Sequence, residues 1–163
     1  MKWISKQEAL ARIGAQRGCP MCELASAAPP VAESMHAAAV LDRYASRLGH
    51  VLVVLRRHEE HIADVRWEEY EAMQRLAWEV SGALQDVLAP RRIYVAALGS
   101  AEPRATSFPH VHLHVIPLAD GDERDRPASV FTQEHGMLVF ESEDEEQVLR
   151  NKLAATIAAR RQR

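Results

Sequence analysis

The sequence predicts an α+β domain, and its hydrophobic pattern supports that fold class in two ways. One long segment, Trp67 to Leu88, carries apolar residues at helical spacing, and a second helix is expected from Glu143 to Arg163. Short apolar runs bounded by turn residues predict strands. These runs lie at 36–41, 50–56, 93–98, 110–116 and 137–140.

The signals that begin and end the helices are local. Ser5 to Glu8 has the pattern of a capping box, so a short helix is expected to run to about Ile13. Pro90 ends the long helix, whose apolar stripe is expected to pack in the core. The C-terminal helix has acidic residues first and basic residues last, which suits the helix dipole. The segment 25–30 is expected to be a loop.

The strand at 50–56 differs from the others because both of its faces are apolar. Val51, Val53 and Leu55 alternate with Leu52 and Val54. A strand that is apolar on both sides is typical of the middle of a sheet. We therefore expect this strand to be central and buried.

Length and composition limit the function classes. The 163 residues fit one domain, and 47% hydrophobic with 26% charged residues is an ordinary globular balance. The net charge of −3 predicts no nucleic-acid partner, so a small anion would be held by local donors. No apolar run approaches the roughly 20 residues that cross a bilayer, and no signal peptide is evident. The sequence predicts a cytoplasmic protein without a membrane partner.

The segment from His110 to Ile116 carries the chemistry. Side chains alternate faces along a strand, so Val111, Leu113 and Val115 can enter the core while the three histidines share the other face. Their Cα atoms would lie roughly 6.6 Å apart. The histidines are His110, His112 and His114.

Three interpretations of this histidine strand compete. It is a polar face that happens to be histidine, a metal site, or a site that acts on an anion. Three ligands in a straight row do not converge on one ion, although a neighbouring pair could hold one. Imidazole is both a nucleophile and a proton carrier near neutral pH, so a central histidine could attack phosphorus while a neighbour assists the leaving oxygen.

The motif HVHLHVI resembles the His-φ-His-φ-His-φ-φ signature of the histidine triad (HIT) superfamily, where φ is apolar. The resemblance continues upstream in AVLD at 39–42, in LGHVLVV at 48–54 and in the pair Arg57-His58. It covers about residues 19–117, and 118–163 would be a C-terminal extension of the same single domain. It implies a five-stranded antiparallel sheet with the long helix packed on it, usually as a homodimer.

The resemblance also implies residue roles. His112 would be the nucleophile that forms a nucleotidyl-histidine intermediate, which water then cleaves. His114 would assist the leaving group, His50 would orient His112, and His110 would support the row. Asp42 would accept hydrogen bonds from ribose hydroxyls. The third histidine favours the hydrolase branch, because the uridylyl transferase branch has glutamine there.

The sequence departs from the family pattern beside the histidine strand. Thr106 stands where the family often has Gln, and Ser100-Ala101 lies near the place of an Asn-Gly pair. Ser107 matches a position whose hydroxyl often meets the phosphate, and Thr106 could supply a second hydroxyl. The expected substrate is a nucleotide, most simply an adenine nucleotide, cleaved at its α-phosphate. The rival functions are a non-catalytic nucleotide-binding module and a metal-dependent hydrolase.

A second motif, Cys19-Pro20-Met21-Cys22, predicts a metal site. Cys-x-x-Cys brings two thiolates together in a tight turn, as in zinc ribbons, and histidines must complete the tetrahedron. His58 and His110 are the candidates that the resemblance supports, His61 and His36 are competitors, and the alternative is an unmetallated thiol pair. Four protein ligands would make this a structural zinc.

Overall fold

The computed structural model of the protein describes residues 1–14, 18–99, 108–119 and 126–163. The helices are α1 (Lys6–Gly14), α2 (Pro20–Ala27), α3 (Trp67–Leu88), α4 (Pro127–Thr132) and α5 (Glu143–Arg161), with a 3-10 turn at Ile62–Asp64. The strands are β1 (Lys2–Ile4), β2 (Ala32–Glu33), β3 (Ala37–Leu41), β4 (Val51–Leu55), β5 (Arg92–Ala96), β6 (His112–Leu118) and β7 (Met137–Val139). Within the described ranges, no helix is both long enough and apolar enough to span a bilayer.

The main sheet has five strands in the order β2-β3-β4-β6-β5, and every neighbouring pair is antiparallel. In the middle of the sheet, Val53 lies opposite Ala39 on one side and Leu113 on the other. All five residues of β4 are buried. The predicted fold class and the central position of β4 are both confirmed.

The two faces of the sheet carry different layers. One face packs its aliphatic side chains, among them Val53, Leu113 and Val115, against α3 and against Leu153 of α5. The other face packs Ala38, Val40, Leu52 and Val54 against α2. Each fully buried aliphatic side chain contributes about 1.5–3 kcal/mol, so this alternation fixes which side chains of β6 remain for the α2 side. The expected core placement of Val111, Leu113 and Val115 is confirmed.

Helix α3 has the bounds that its apolar pattern predicted. The carboxylate of Glu69 accepts a hydrogen bond from the backbone N–H of Arg66 at 3.1 Å, which satisfies a free donor at the start of the helix. At the other end Ala89 adopts a left-handed conformation with φ of 46°, and Pro90 prevents continuation. Capping and the proline together define the length of the helix.

Helix α2 corrects the predicted loop at 25–30. The helix continues to Ala27. Cys19 is its N-cap and Cys22 lies in its first turn, so this turn of helix brings the two thiols together. Proline at the first helical position has its φ angle preset, and Leu24, Ala25 and Ala27 favour a helix. The helix preference of these residues outweighs the turn preference of Ser26. The helix therefore ends at Ala27, two residues before Pro29.

The C-terminal extension packs back onto the rest of the chain. Strand β7 pairs with β1, and Leu138 also bridges to Ala45 in the β3–β4 connection. Helix α5 lies along α3, where Leu153 and Ile157 are buried. Residues 126–142 are thereby held beside the connection that carries Asp42 and His50.

Candidate functional site

The histidine row divides into two parts. The strand that was expected to begin at His110 begins at His112, so His110 lies just before it. His110 turns its ring toward the cysteines: Nε2 lies 2.8 Å from the carbonyl oxygen of Leu55, and Nδ1 lies 3.4 Å from Sγ of Cys19. Only its carbonyl oxygen faces His112. His110 lies opposite the buried Val111, on the same side of the sheet as His112 and His114, but its ring faces the cysteines and not the other two imidazoles.

His112 and His114 form a series of polar contacts, the histidine chain, with His50, which directly precedes β4. Nε2 of His112 lies 3.1 Å from Nε2 of His114, and Nδ1 of His114 lies 3.0 Å from Nε2 of His50. Nδ1 of His50 in turn lies 3.0 Å from a carboxylate oxygen of Asp42. His50 thus contacts His114 and reaches His112 through it.

The proton positions of His112 and His114 follow from the His110 carbonyl, which can only accept. The carbonyl oxygen of His110 lies 2.6 Å from Nδ1 of His112, so that nitrogen donates and Nε2 of the neutral ring keeps its lone pair. His114 then donates to His112 from Nε2 and accepts from His50 at Nδ1. Nε2 of His112 is thus held in its unprotonated form.

At the far end of the chain, His50 faces two competing partners. Its Nδ1 lies 3.2 Å from the backbone N–H of Ser46, which can only donate, and 3.0 Å from the Asp42 carboxylate, which can only accept. A neutral Nδ1 satisfies Ser46, whereas a protonated Nδ1 donates to Asp42. Nδ1 of His50 can therefore take up or release a proton while the contacts between His50, His114 and His112 stay in place.

Burial controls the protonation of the chain. Desolvation is the main cause that lowers the pKa values of His50, His112 and His114, and the neighbouring imidazoles lower that of His114 further. The Asp42 carboxylate opposes the effect of burial on His50. The rings of His112 and His114 are consequently neutral at pH 7.

A cleft lies beside His112 and His114, between α2 and the C-terminal segment. Its volume is about 720 Å³ including the open mouth. Its lining is mostly apolar, with Met21, Leu24 and Phe108 on one side and Met137 on the other. The polar side chains in this lining are the two imidazoles, Glu23, Asp42, Arg43, Tyr44 and Gln133. An apolar cleft with a few convergent polar groups is the usual form of a small-molecule site.

The other residues expected to bind nucleotide have mixed outcomes. Asp42 lines the cleft, where one carboxylate oxygen accepts from the backbone N–H of Tyr44 at 2.9 Å and the other faces His50. Each oxygen has a second lone pair, so Asp42 can still accept from a ligand. Thr106 and Ser107, together with Ser100, lie outside the described residues.

The four predicted metal ligands converge on one point at the N-terminus of α2. The ligand atoms of Cys19, Cys22, His58 and His110 lie within 4.8 Å of one another. Nδ1 of His58 and Nδ1 of His110 are each 3.5 Å from Sγ of Cys22. Tetrahedral zinc, with bonds of about 2.3 Å to sulfur and 2.0–2.1 Å to nitrogen, places such ligands about 3.6 Å apart. His61 and His36 are outside this cluster.

The second nitrogen of each histidine also suits a metal site. Nε2 of His110 donates to the carbonyl of Leu55, and Nε2 of His58 faces a carboxylate oxygen of Glu60 at 3.5 Å. Metal-bound histidines ordinarily donate their other N–H to a carbonyl or carboxylate, which fixes the tautomer. Burial and the neighbouring Cys19 raise the pKa of the Cys22 thiol, so a cation would be needed to hold it as a thiolate.

A buried carboxylate holds the loop that presents His58. Glu69 on α3 accepts from Nε and Nη2 of Arg57 at 3.0 Å each and from Arg66 at 2.7 Å. These hydrogen bonds hold the pKa of Glu69 well below its usual range, and those from Arg57 have the largest effect. The segment 57–66 is thereby tied to the long helix, and His58 is carried with it.

Three functional features had not been predicted. The backbone of Ser46, the apolar wall of α2 and the side chain of Gln133 all contribute to the cleft or its histidine chain. The proline at position 20 followed by helix-forming residues was a usable signal for α2. Nothing in the sequence near Gln133 distinguishes it from a surface residue.

Comparisons with known proteins agree on the fold. The family model of the HIT domain matches residues 26–121. An uncharacterised 16.1 kDa HIT-like protein of Mycoplasma pneumoniae is 32% identical over 87 residues, which cover 53% of this chain and 60% of that protein. The matched stretch thus spans less than two thirds of the length of that relative.

Two solved structures illustrate the likeness. A Zn-bound histidine triad family protein from Mycobacterium smegmatis superposes with a TM-score of 0.64 at 23% identity, covering 87% of this chain and 97% of that one. The diadenosine triphosphate hydrolase of Plasmodium falciparum, in complex with cyclomarin A, gives 0.55 at 14% identity, covering 80% and 75%. At such identities these two structures establish the fold. Because the family model covers more than half of the sequence, the chain belongs to the HIT domain family.

Proposed function

We propose that the protein is a nucleotide hydrolase that cleaves at the α-phosphate through a covalent intermediate on His112. One observation carries the proposal: Nδ1 of His112 donates to the His110 carbonyl at 2.6 Å, which leaves a neutral Nε2 beside an apolar cleft. Membership of a family with nucleotide hydrolase relatives supports it.

The first half of the reaction forms a bond between Nε2 of His112 and phosphorus and breaks the bond from phosphorus to the leaving group. His114 gives its Nε2 proton to the leaving atom. Its Nδ1 then takes the Nε2 proton of His50, 3.0 Å away. This transfer requires the form of His50 that carries a proton on both nitrogens, which the Asp42 carboxylate favours against the effect of burial. His50 then ends neutral and keeps its Nδ1 proton toward Asp42.

The second half reverses these transfers. A water molecule attacks phosphorus, the bond to His112 breaks, and one proton of the water returns to Nε2 of His114. The nucleoside monophosphate leaves, and His112 regains the tautomer fixed by the His110 carbonyl. The chain from His114 to Asp42 serves both halves because its ends can store one proton.

The test combines a trapping experiment with a fold control. Wild-type protein mixed with an adenylated substrate, such as a dinucleoside polyphosphate or an adenosine phosphoramidate, should gain the mass of an adenylyl group on His112. His112→Ala should lose the adduct and the turnover while its unfolding temperature stays near that of the wild type, since the side chain faces the cleft. Unchanged turnover in His112→Ala would overturn the proposal.

The same experiments distinguish the two rival functions. Tight binding of AMP without turnover of any adenylated substrate would select a non-catalytic nucleotide-binding module. The residues Asp42, His50 and His114 also bring possible ligand atoms within 4.8 Å of one another. Loss of turnover with a chelator, restored by added metal while His112→Ala remains active, would select a metal-dependent hydrolase.

We also propose that zinc occupies the Cys19, Cys22, His58 and His110 cluster as a structural ion. The distances between ligand atoms, the tautomers that the second nitrogens impose and the Zn-bound relative support this. Four protein ligands leave no open coordination position, so the ion would stabilise the start of α2 and the loop of His58. The expected homodimer and cytoplasmic location stay predictions, which sedimentation and fractionation would check.

A further inference from the structure

Gln133 carries a buried acceptor that nothing in the described part of the chain satisfies. The residue follows α4, lines the cleft and is only 8% exposed. Its side-chain oxygen Oε1 is buried and has no hydrogen-bond partner. Leaving a buried acceptor unpaired reduces stability, so such an atom in a ligand cleft needs an explanation.

The orientation of the Gln133 amide is fixed by its neighbours. Nε2 donates to the carbonyl oxygen of Tyr44 at 3.3 Å and to Oγ of Ser46 at 3.4 Å. Exchanging the amide nitrogen and oxygen would set Oε1 against the Tyr44 carbonyl, where two acceptors would face each other. Oε1 therefore points away from the β3–β4 connection.

The chemistry of this part of the cleft selects hydrogen-bond donors. Oε1 is an acceptor, and the Asp42 carboxylate that lines the same cleft is an acceptor with a negative charge. Hydroxyl and amino groups can donate to both of these acceptors, whereas phosphate oxygens cannot. The cationic Arg43 also lines the cleft, so the preference for donors applies to Oε1 of Gln133 and to Asp42 and not to the whole lining. In a nucleotide those donors are the ribose hydroxyls and the amino group of the base.

The opposite polarity holds at His112 and His114. Neutral imidazoles next to the cleft can donate to phosphate oxygens or attack phosphorus, and Asp42 is separated from His112 by two rings. A nucleotide that placed its phosphate at His112 would extend its nucleoside part toward acceptors. Gln133 and Asp42 are the acceptors that line the cleft on the side of the β3–β4 connection.

We propose that Oε1 of Gln133 accepts a hydrogen bond from the nucleoside part of the bound nucleotide and that Gln133 is thereby a specificity-determining residue. The inference rests on the proposed nucleotide function. It assigns to the C-terminal extension a direct part in the ligand site. Residues 126–142 would then serve recognition as well as packing.

The experiment measures dissociation constants by calorimetry for the full-length protein and for Gln133→Met, which keeps the side-chain length but removes the amide. The ligands are AMP, its 2′-deoxy and 3′-deoxy analogues, purine riboside monophosphate without the amino group, and inorganic phosphate. Gln147→Met, at an exposed position on α5, is the matched control.

We expect Gln133→Met to weaken the binding of AMP about 3- to 10-fold, which is the effect of one hydrogen bond. The affinity for inorganic phosphate should stay unchanged. One of the three donor-deleted analogues should bind the wild type more weakly than AMP by a similar factor, and in Gln133→Met that difference should disappear. This coupling identifies the donor as a hydroxyl or as the amino group. Gln147→Met should behave like the wild type.

Several outcomes would overturn the inference. If Gln133→Met weakens AMP, every analogue and phosphate equally, or leaves AMP unchanged, Gln133 has no ligand contact while the nucleotide function stands. If the wild type binds phosphate but no nucleotide, the proposed function fails and the inference with it. Should Gln133→Met not fold, a crystal structure of the wild type with AMP decides, since a ligand donor within hydrogen-bond distance of Oε1 is required.

Discussion

Five histidines beside the sheet fall into two groups that differ in what their second nitrogen faces. In His50, His112 and His114 the ring nitrogens face one another in series, and the facing nitrogen atoms of neighbouring rings are 3.0–3.1 Å apart. In His58 and His110 one nitrogen faces sulfur and the other faces an oxygen acceptor. A series suits proton transfer, whereas convergence on one point suits a metal.

The comparison teaches that residue type alone does not assign a role to a histidine. His110 and His112 are two positions apart, both are buried, and both were expected in one row. The Cys19 and Cys22 thiols and the Leu55 carbonyl draw the ring of His110 into the second group. The predictions below separate the two groups, beginning with the largest effect.

Removing the middle ring should break the series and leave the cluster intact. His114→Ala separates His112 from His50, and we expect turnover to fall about 10²- to 10⁴-fold, the usual contribution of a positioned general acid. Single-turnover kinetics measures this effect, and metal analysis should give the wild-type content. His135→Ala, exposed and outside both groups, is the control. A loss of metal in His114→Ala would contradict the separation.

Removing a thiol should have the opposite result. In Cys22→Ser the metal content should fall from about one zinc per chain to below about 0.1, because three ligands hold zinc much less tightly than four. Elemental analysis after desalting checks this, and AMP binding should persist. Ser26→Ala, one turn further along α2, is the matched control and should retain its zinc. Wild-type protein with less than a few tenths of a zinc per chain would refute the site itself.

Loosening the loop of His58 should affect stability more than activity. Glu69→Gln replaces the carboxylate that binds Arg57 and Arg66, and we expect a loss of about 2 kcal/mol, typical of hydrogen bonds to charged groups. For a chain of this size that lowers the unfolding temperature by about 4–8 °C. The exposed neighbour Glu68→Gln should change it little. Equal effects of the two substitutions in calorimetry would show that Glu69 does not hold the loop.

Lowering the pH should gradually reduce the stability of the folded protein through the buried histidines. Burial lowers the pKa values of His50 and His114, while the unfolded chain keeps values of about 6.5. As the pH falls below about 6.5, the unfolded state binds more protons than the folded state, so the free energy of unfolding decreases. Urea titrations between pH 7 and pH 5 would measure the slope. His50→Gln should flatten it and His135→Gln should not; equal slopes in all three proteins would contradict the assignment.

The sequence predicted the sheet and the long helix because their signals are periodic. The double apolar pattern of β4 and the alternation of β6 need no knowledge of distant residues, and both are confirmed. Helix α2 was partly mistaken for a loop because Ser26 and the following prolines are typical of turns. The preference of Pro20 for a helix start was the competing signal that prevailed.

The site was predictable in its residue types but not in its contacts. The motif placed His112 and His114 on one face, and the four metal candidates converge as expected. The contact from His50 to His114, and the place of Gln133, depend on how two loops and the C-terminal segment pack together. Such contacts between residues far apart in sequence leave no periodic trace.

The register of β6 has a consequence for how this sequence can vary. His112 and His114 alternate with Leu113 and Val115, so positions that line the cleft and positions in the core are interleaved residue by residue. A single insertion or deletion within 112–115 would turn the imidazoles toward α3 and the aliphatic side chains toward the cleft. Insertions and deletions are therefore expected outside this strand. A shift of its register by one residue would disrupt the hydrophobic core and the histidine site together.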